Sequence, residues 1–183
     1  MRKLLDAGAE VFATRGYHAA RVDDIVKLAR MSHGTFYLYF ANKEALFRAL
    51  MTEVADEMHA LAQALGPLEP GPEGRAALQA WIDEFAALYE RHGPIIRAWT
   101  EAEIGQDDLG RMGTDLLTRF TRELAIRITA LAPADLDPAV CALTLVAMLE
   151  RLNYYVLSKQ VGIDRAEMVE TLARVTHSAL FRP

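Results

Sequence analysis

The sequence predicts an all-α chain. Apolar residues recur at helical spacing through nearly every segment, and no segment shows sustained period-two alternation or β-branched clustering. Glycine and proline gather at a few breaks between those segments. About nine helices are expected. The first carries Leu4, Leu5, Gly8, Val11 and Phe12 on one face, with Gly16 as its stop. The second, Val22–Ala29, is short. Asp23 and Asp24 stand in its first turn, where acids favour the positive end of the helix dipole. Ser32 reads as the cap of a third short helix through Phe40. Asn42 caps a long fourth helix, with Leu46, Phe47, Leu50 and Val54 on its apolar face, that runs to about Leu65.

The stretch Gly66–Pro67–Leu68–Glu69–Pro70–Gly71–Pro72 is the clearest break, and no helix is expected to cross it. Beyond it, one helix spans about Arg75 to Arg91, with Leu78, Trp81, Ile82, Phe85 and Leu88 on one face. Gly93–Pro94 is expected to end it and to open a short helix through Trp99. Another spans Asp108 to about Leu131 and stops at Pro133. The next starts at Pro138, a good first-turn residue, and runs to about Gln160. Gly162 separates it from the last, Asp164–Phe181.

Composition narrows the function classes. At 52% hydrophobic and 25% charged residues, the 183-residue chain is of globular type. The single cysteine, Cys141, excludes an intrachain disulfide and suits a reducing compartment, so a cytoplasmic location is expected. Flanked by Ala, Val and Leu, it reads as a small buried residue and not a nucleophile. No uncharged apolar run of about 18 residues is present, so no membrane span is expected. Met1–Asp6 lacks the apolar core of a secretion signal. The net charge of −5 hides an asymmetry. Residues 1–50 carry eight Lys/Arg against five acids, a net +3, and the remainder carries −8. A basic end on an acidic body suits a polyanion partner at that end.

Two short helices with a tight connection, following a helix that packs across them, form a helix-turn-helix unit. The second helix of such a unit enters the DNA major groove. Here it is too short and polar to be core alone. Its start, Ser32–His33–Gly34–Thr35, offers backbone N–H groups to phosphate, and Tyr37 and Tyr39 offer aromatic and hydroxyl surface to thymine methyls and phosphate oxygens. Lys43 stands at the start of the next helix, where a cation serves neither the dipole nor a cap. A phosphate partner is the expected reason for it.

The segments Ala13–Thr14–Arg15–Gly16–Tyr17, Val22–Asp23–Asp24–Ile25, Ser32 through Phe40, and Asn42–Lys43–Glu44–Ala45–Leu46–Phe47 resemble the DNA-binding domain of TetR-family transcriptional regulators. The resemblance covers about the first 50 residues, in order. It implies a helix-turn-helix domain over 1–50 and a helical ligand-binding and dimerisation domain over 51–183. It implies that Ser32, His33, Gly34 and Thr35 open the recognition helix and that Tyr37 contacts DNA. Tyr39 and Lys43 match phosphate-clamping positions, and Phe36 and Phe40 match core positions. Three departures stand out. Ala20 replaces a common threonine, so Arg21 is the expected substitute phosphate ligand. Arg30 replaces a turn glycine, at a cost on the order of 1 kcal/mol if the turn needs a positive φ. The basic arm that many members place before the first helix is missing from this sequence.

The resemblance further implies a homodimer on a pseudo-palindromic DNA operator, usually a repressor, whose recognition-helix separation responds to a small molecule. The helices Pro138–Gln160 and Asp164–Phe181 match the family's dimer-forming pair. Leu143, Val146, Leu149, Leu172, Val175 and Leu180 then belong either to that interface or to an ordinary core. Trp81, Phe85, Tyr89, Trp99, Met112, Phe120, Met148 and Tyr155, with Leu116 and Leu152, suit either a core or a mainly apolar ligand pocket. Glu150 and Asn153 interrupt an apolar stretch as a ligand anchor, an interface hydrogen bond or a solvated edge.

An enzyme is not expected. The five histidines are scattered without ligand spacing, no glycine-rich phosphate loop is present, and neither metal nor cofactor is implied. The carboxylates Glu101, Glu103, Asp107 and Asp108 read as a solvated loop. The remaining alternative is a helical interaction or small-molecule-binding module without DNA function. Steep salt dependence of DNA binding separates the two readings.

Overall fold

A computed structural model of the chain describes residues 1–102, 108–129 and 136–181, with the side chains of 97, 99–102, 108 and 109 left aside. The described residues are all-α. Eight helices follow in order: α1 Arg2–Ala19, α2 Val22–Ala29, α3 His33–Tyr39, α4 Lys43–Ala64, α5 Pro72–Ala102, α6 Asp108–Ile128, α7 Pro138–Leu157 and α8 Arg165–Leu180. They sort into two compact units. One comprises Met1–Asp56 and His92–Leu116, the other Glu57–Arg91 and Leu117–Pro183.

Among the described residues the expected count of about nine helices falls to eight, because Gly93–Pro94 does not end a helix. Pro94 lies inside α5. A mid-helix proline costs about 3 kcal/mol. Buried Leu88 and Tyr89 before it, and Ile95 and Ala98 after it, supply packing on both sides that offsets this cost. Gly16, read as a stop, is instead a kink. Its φ of 72° and ψ of 167° break α1 locally, and helical backbone resumes through Ala19. The side-chain caps stand where the sequence puts them. Ser32 Oγ accepts from the Thr35 N–H at 3.1 Å, and Asn42 Oδ1 accepts from the Ala45 N–H at 2.8 Å. Asp137 and Asp164 cap α7 and α8 in the same way.

The first unit is built on aromatic packing. Phe12 meets Phe47 edge-on at 5.0 Å, and Tyr17 lies 5.8 Å from Phe12 and 4.9 Å from Phe47. Gly8 lets α1 approach α4 so closely that a Cβ there would collide with Leu46 Cδ2.

In the second unit Trp81, Phe85, Tyr89 and Phe120 form a buried aromatic layer. The Trp81 and Phe120 rings are 6.4 Å apart and nearly parallel, and Phe85 lies 5.9 Å from Phe120. The Trp81 indole N–H donates to the Leu61 carbonyl at 2.8 Å, so its one polar atom is satisfied. α7 packs on α8, and its buried residues Ala142, Leu145, Val146, Leu149, Asn153 and Val156 form a helical face. Arg165 ties the start of α8 to α5 by bonds to the carboxylates of Asp83 and Glu90 and to the Asp83 carbonyl.

Two expectations need amendment. By length and composition α7 is apolar enough to cross a membrane, although it contains Glu150 and Arg151. Its buried residues, however, follow the one-sided spacing of a helix packed on a protein core. Cys141 is half-buried, not buried, because it sits on the flank of that face.

Candidate nucleic-acid interface

α2 and α3 are joined by Arg30, Met31 and Ser32. The end of α2 forms a Schellman turn: the Arg30 N–H donates to the Lys27 carbonyl at 3.2 Å, and the Met31 N–H to the Val26 carbonyl at 2.9 Å. This turn requires a left-handed residue, and Arg30 adopts it with φ 54° and ψ 45°. The missing glycine therefore leaves the geometry intact and adds strain. Ile25 and Val26 bury α2, and Phe36 with Phe40 buries α3 from one side.

Burial of positions 36 and 40 turns 37, 38 and 39 outward. Tyr37 is 56% exposed, Leu38 81% and Tyr39 51%. Three large side chains in water on one short helix are unusual for a surface without a partner. Leu38 was missed by the sequence reading. The signal was there: two buried aromatics four residues apart put the middle of the turn between them outside. An exposed leucine here suits the apolar contact that a thymine methyl makes.

The other predicted residues lie around this helix. Arg21, Ser32, His33 and Gly34 are exposed, and Thr35 is half-buried. The Ser32 hydroxyl also lies 2.9 Å from that of Thr35, so both are committed to the cap in the free protein. His33 Nε2 lies 3.1 Å from the Asp23 carboxylate, and Arg15 lies 3.4 Å from Asp24.

Lys43 has partners that the sequence reading did not foresee. Its ammonium donates to the carbonyls of Tyr17 at 2.8 Å, His18 at 3.1 Å and Ala20 at 3.0 Å. It also stands 4.8 Å from the centre of the Tyr17 ring. A cation at this place does cap a helix, namely α1 at its carboxyl end. Partial burial pulls its pKa below the usual lysine value, and three carbonyl dipoles oppose that loss of charge. Arg2 shows the reverse case. Hydrogen bonds to Asp6 and Glu53 raise its pKa further.

The pocket residues named from sequence divide. Trp81, Phe85, Tyr89 and Phe120 form the buried layer described above. Met148 is half-buried and Tyr155 exposed against Tyr154. Met112 is half-buried in the other unit, and the Trp99 side chain lies outside the described residues. So do the side chains of Glu101, Glu103, Asp107 and Asp108. Glu150 Oε1 lies 3.4 Å from the Tyr89 hydroxyl. Asn153 is fully buried, donates to the Leu149 carbonyl, and leaves Oδ1 without a partner among the described residues.

Three stacked N-terminal helices, a strained turn and an outward aromatic helix define a helix-turn-helix DNA-binding protein. The comparisons make the class specific. Residues 4–50 match the family of bacterial regulatory proteins of tetR type, and residues 75–180 match the tetracyclin repressor-like C-terminal domain. The chain belongs to the TetR family of transcriptional regulators, a family without enzymatic activity. It is 30% identical to the HTH-type transcriptional regulator YhgD of Bacillus subtilis over 151 residues, 79% of this chain and 78% of that protein. YvdT of the same organism is 39% identical over 94 residues, where the match spans about half of each chain, 51% and 47%. Among solved structures, FadR from Bacillus subtilis in complex with stearoyl-CoA shares the fold. Its TM-score is 0.76 at 18% identity, over 98% of this chain and 99% of that one.

Proposed function

We propose that this regulator is a cytoplasmic homodimeric repressor that binds a pseudo-palindromic operator and is released by a small molecule. Residues 1–50 then read DNA, and residues 51–183 dimerise and sense the ligand. Arg21, Ser32, His33, Gly34, Thr35, Tyr37, Tyr39 and Lys43 form the reading surface, with Leu38 added. The observation that carries this is the outward triplet Tyr37–Leu38–Tyr39 on a helix held by buried Phe36 and Phe40. Dimerisation is assigned to α7 and α8. Leu143 and Val175 are 50% and 53% exposed, whereas Val146, Leu149, Leu172 and Leu180 already serve the core of one protomer. The interface therefore rests on Leu143 and Val175, with exposed Val140 one turn before Leu143 on α7.

A mainly apolar ligand held in this unit would meet the buried aromatic layer of Trp81, Phe85, Tyr89 and Phe120. Acyl-CoA thioesters are the first class to screen, since stearoyl-CoA is bound by FadR of the same fold.

The test is fluorescence anisotropy against DNA fragments flanking the protein's own gene, at two salt concentrations. Saturable binding to one fragment that weakens steeply with salt is expected. Salt-insensitive binding, or a random-sequence selection that enriches no duplex, refutes the assignment.

A further inference from the structure

We propose that Asn153 is the polar anchor for the small molecule: its Oδ1 takes a hydrogen bond from an uncharged O–H or N–H donor on an otherwise apolar ligand. The inference rests on ligand sensing by residues 51–183. Asn153 is fully buried on α7. Its side-chain N–H donates to the Leu149 carbonyl at 2.8 Å, and its Oδ1 has no partner among the described residues. A buried acceptor without a donor is rare, because it has given up water and received nothing in return. Its neighbours on the same face of α7, Leu149 and Val156, are apolar and buried. A leucine at this position would fill a similar volume without that penalty.

A water is no substitute for the missing donor, since a buried water needs several polar partners. The other buried polar side chain among the described residues is Thr176. α7 and α8 pack together as a hairpin. Asn153 stands four residues before the end of α7, and Thr176 eleven residues after the start of α8. The rise of an α-helix then separates them by about 10 Å along the hairpin, beyond the span of one water.

The surroundings define the chemistry of the ligand. Asn153 lies three residues past Glu150, one turn along the same side of α7. Glu150 Oε1 lies 3.4 Å from the Tyr89 hydroxyl, and the Tyr89 ring stacks on Phe85 at 6.3 Å. This stretch of α7 therefore meets the end of the aromatic layer. A ligand body against the layer is apolar, and its polar end faces an amide oxygen and a carboxylate. Both are acceptors, so an anionic head is repelled. The other Glu150 oxygen has Arg151 at 3.7 Å, so the carboxylate already has its cation. The unmet group is the amide oxygen, and an uncharged donor satisfies it.

The test titrates the full chain by calorimetry with decanol, decyl methyl ether and ionised decanoate. These share an apolar chain and end in a donor, a bare acceptor or an anion. Decanol is expected to bind about tenfold tighter than the ether, the effect of one hydrogen bond to a buried and otherwise unpaired acceptor. Decanoate is expected to bind no tighter than the ether. In Asn153→Leu the affinity for decanol is expected to fall to that for the ether, while the unfolding midpoint of the free protein stays at or above wild type. Alcohol and ether binding alike in the wild type overturns the proposal, as does a preference for the alcohol that survives in Asn153→Leu. Should that variant not fold, the side-chain amide NMR signal of Asn153 decides in the wild type. It is expected to move with decanol and not with the ether, and an unmoved signal overturns the proposal. Binding without discrimination removes the anchor and leaves ligand sensing standing. If none of the three binds, the anchor falls, and sensing is judged separately by whether stearoyl-CoA releases the protein from its operator.

Discussion

At the scale of single residues, exposure separates side chains that hold the recognition helix from those that read with it. Phe36 is fully buried, and Tyr37 next to it touches it edge-on at 5.4 Å while remaining more than half exposed. Removing the Tyr37 ring therefore removes little packing. Tyr37→Ala is expected to leave the unfolding midpoint unchanged and to weaken operator binding by about 1–2 kcal/mol, roughly tenfold, as measured by anisotropy. Arg30 makes the opposite prediction. Its left-handed backbone costs an L-residue on the order of 1 kcal/mol, which glycine does not incur. Arg30→Gly is expected to raise stability by about 0.5–1 kcal/mol, read from the denaturant midpoint at constant m-value. A lower midpoint would mean that the arginine side chain contributes more than its backbone costs.

Helices were legible from the sequence where local chemistry decides them. Ser32 and Asn42 announced their caps, Pro138 its first turn, and Phe36 and Phe40 the buried side of α3. Misreadings came where tertiary packing outweighs a local signal. Pro94 is a strong breaker in isolation, yet buried apolar residues on both sides carry α5 through it. Lys43 was read as an unsatisfied cation because its acceptors lie more than 20 residues earlier in the chain. The helix-turn-helix pattern was visible because most of its contacts are local. The partition of α7 and α8 between core and surface was not, since Val146 and Leu143 look alike in sequence and differ only in what they face. Gly8 marks another contact that only the fold reveals. With Leu46 fully buried against it, a larger side chain there has no open space. Gly8→Val is expected to destabilise by about 2 kcal/mol through overpacking, measured by chemical denaturation.

At the scale of the whole molecule, the assembly proposed for operator binding depends on one apolar surface. Val140, Leu143 and Val175 lie on α7 and α8, are at least half exposed, and accompany a buried face that already serves the protomer. Each such side chain contributes about 1.5–3 kcal/mol when removed from water. In a two-fold interface every substitution appears twice. Leu143→Asp would therefore place two carboxylates in the same apolar contact, while costing the isolated protomer little because Leu143 is half exposed there. The variant is expected to sediment as a folded monomer at concentrations where the wild type is a dimer. Its melting temperature should lose the protein-concentration dependence that mass action gives an associating chain. Operator affinity should fall as well, because two half-sites bind more tightly when their readers are linked. A variant that stays dimeric with wild-type operator affinity would move the interface off this face, while leaving the reading surface of α3 untouched.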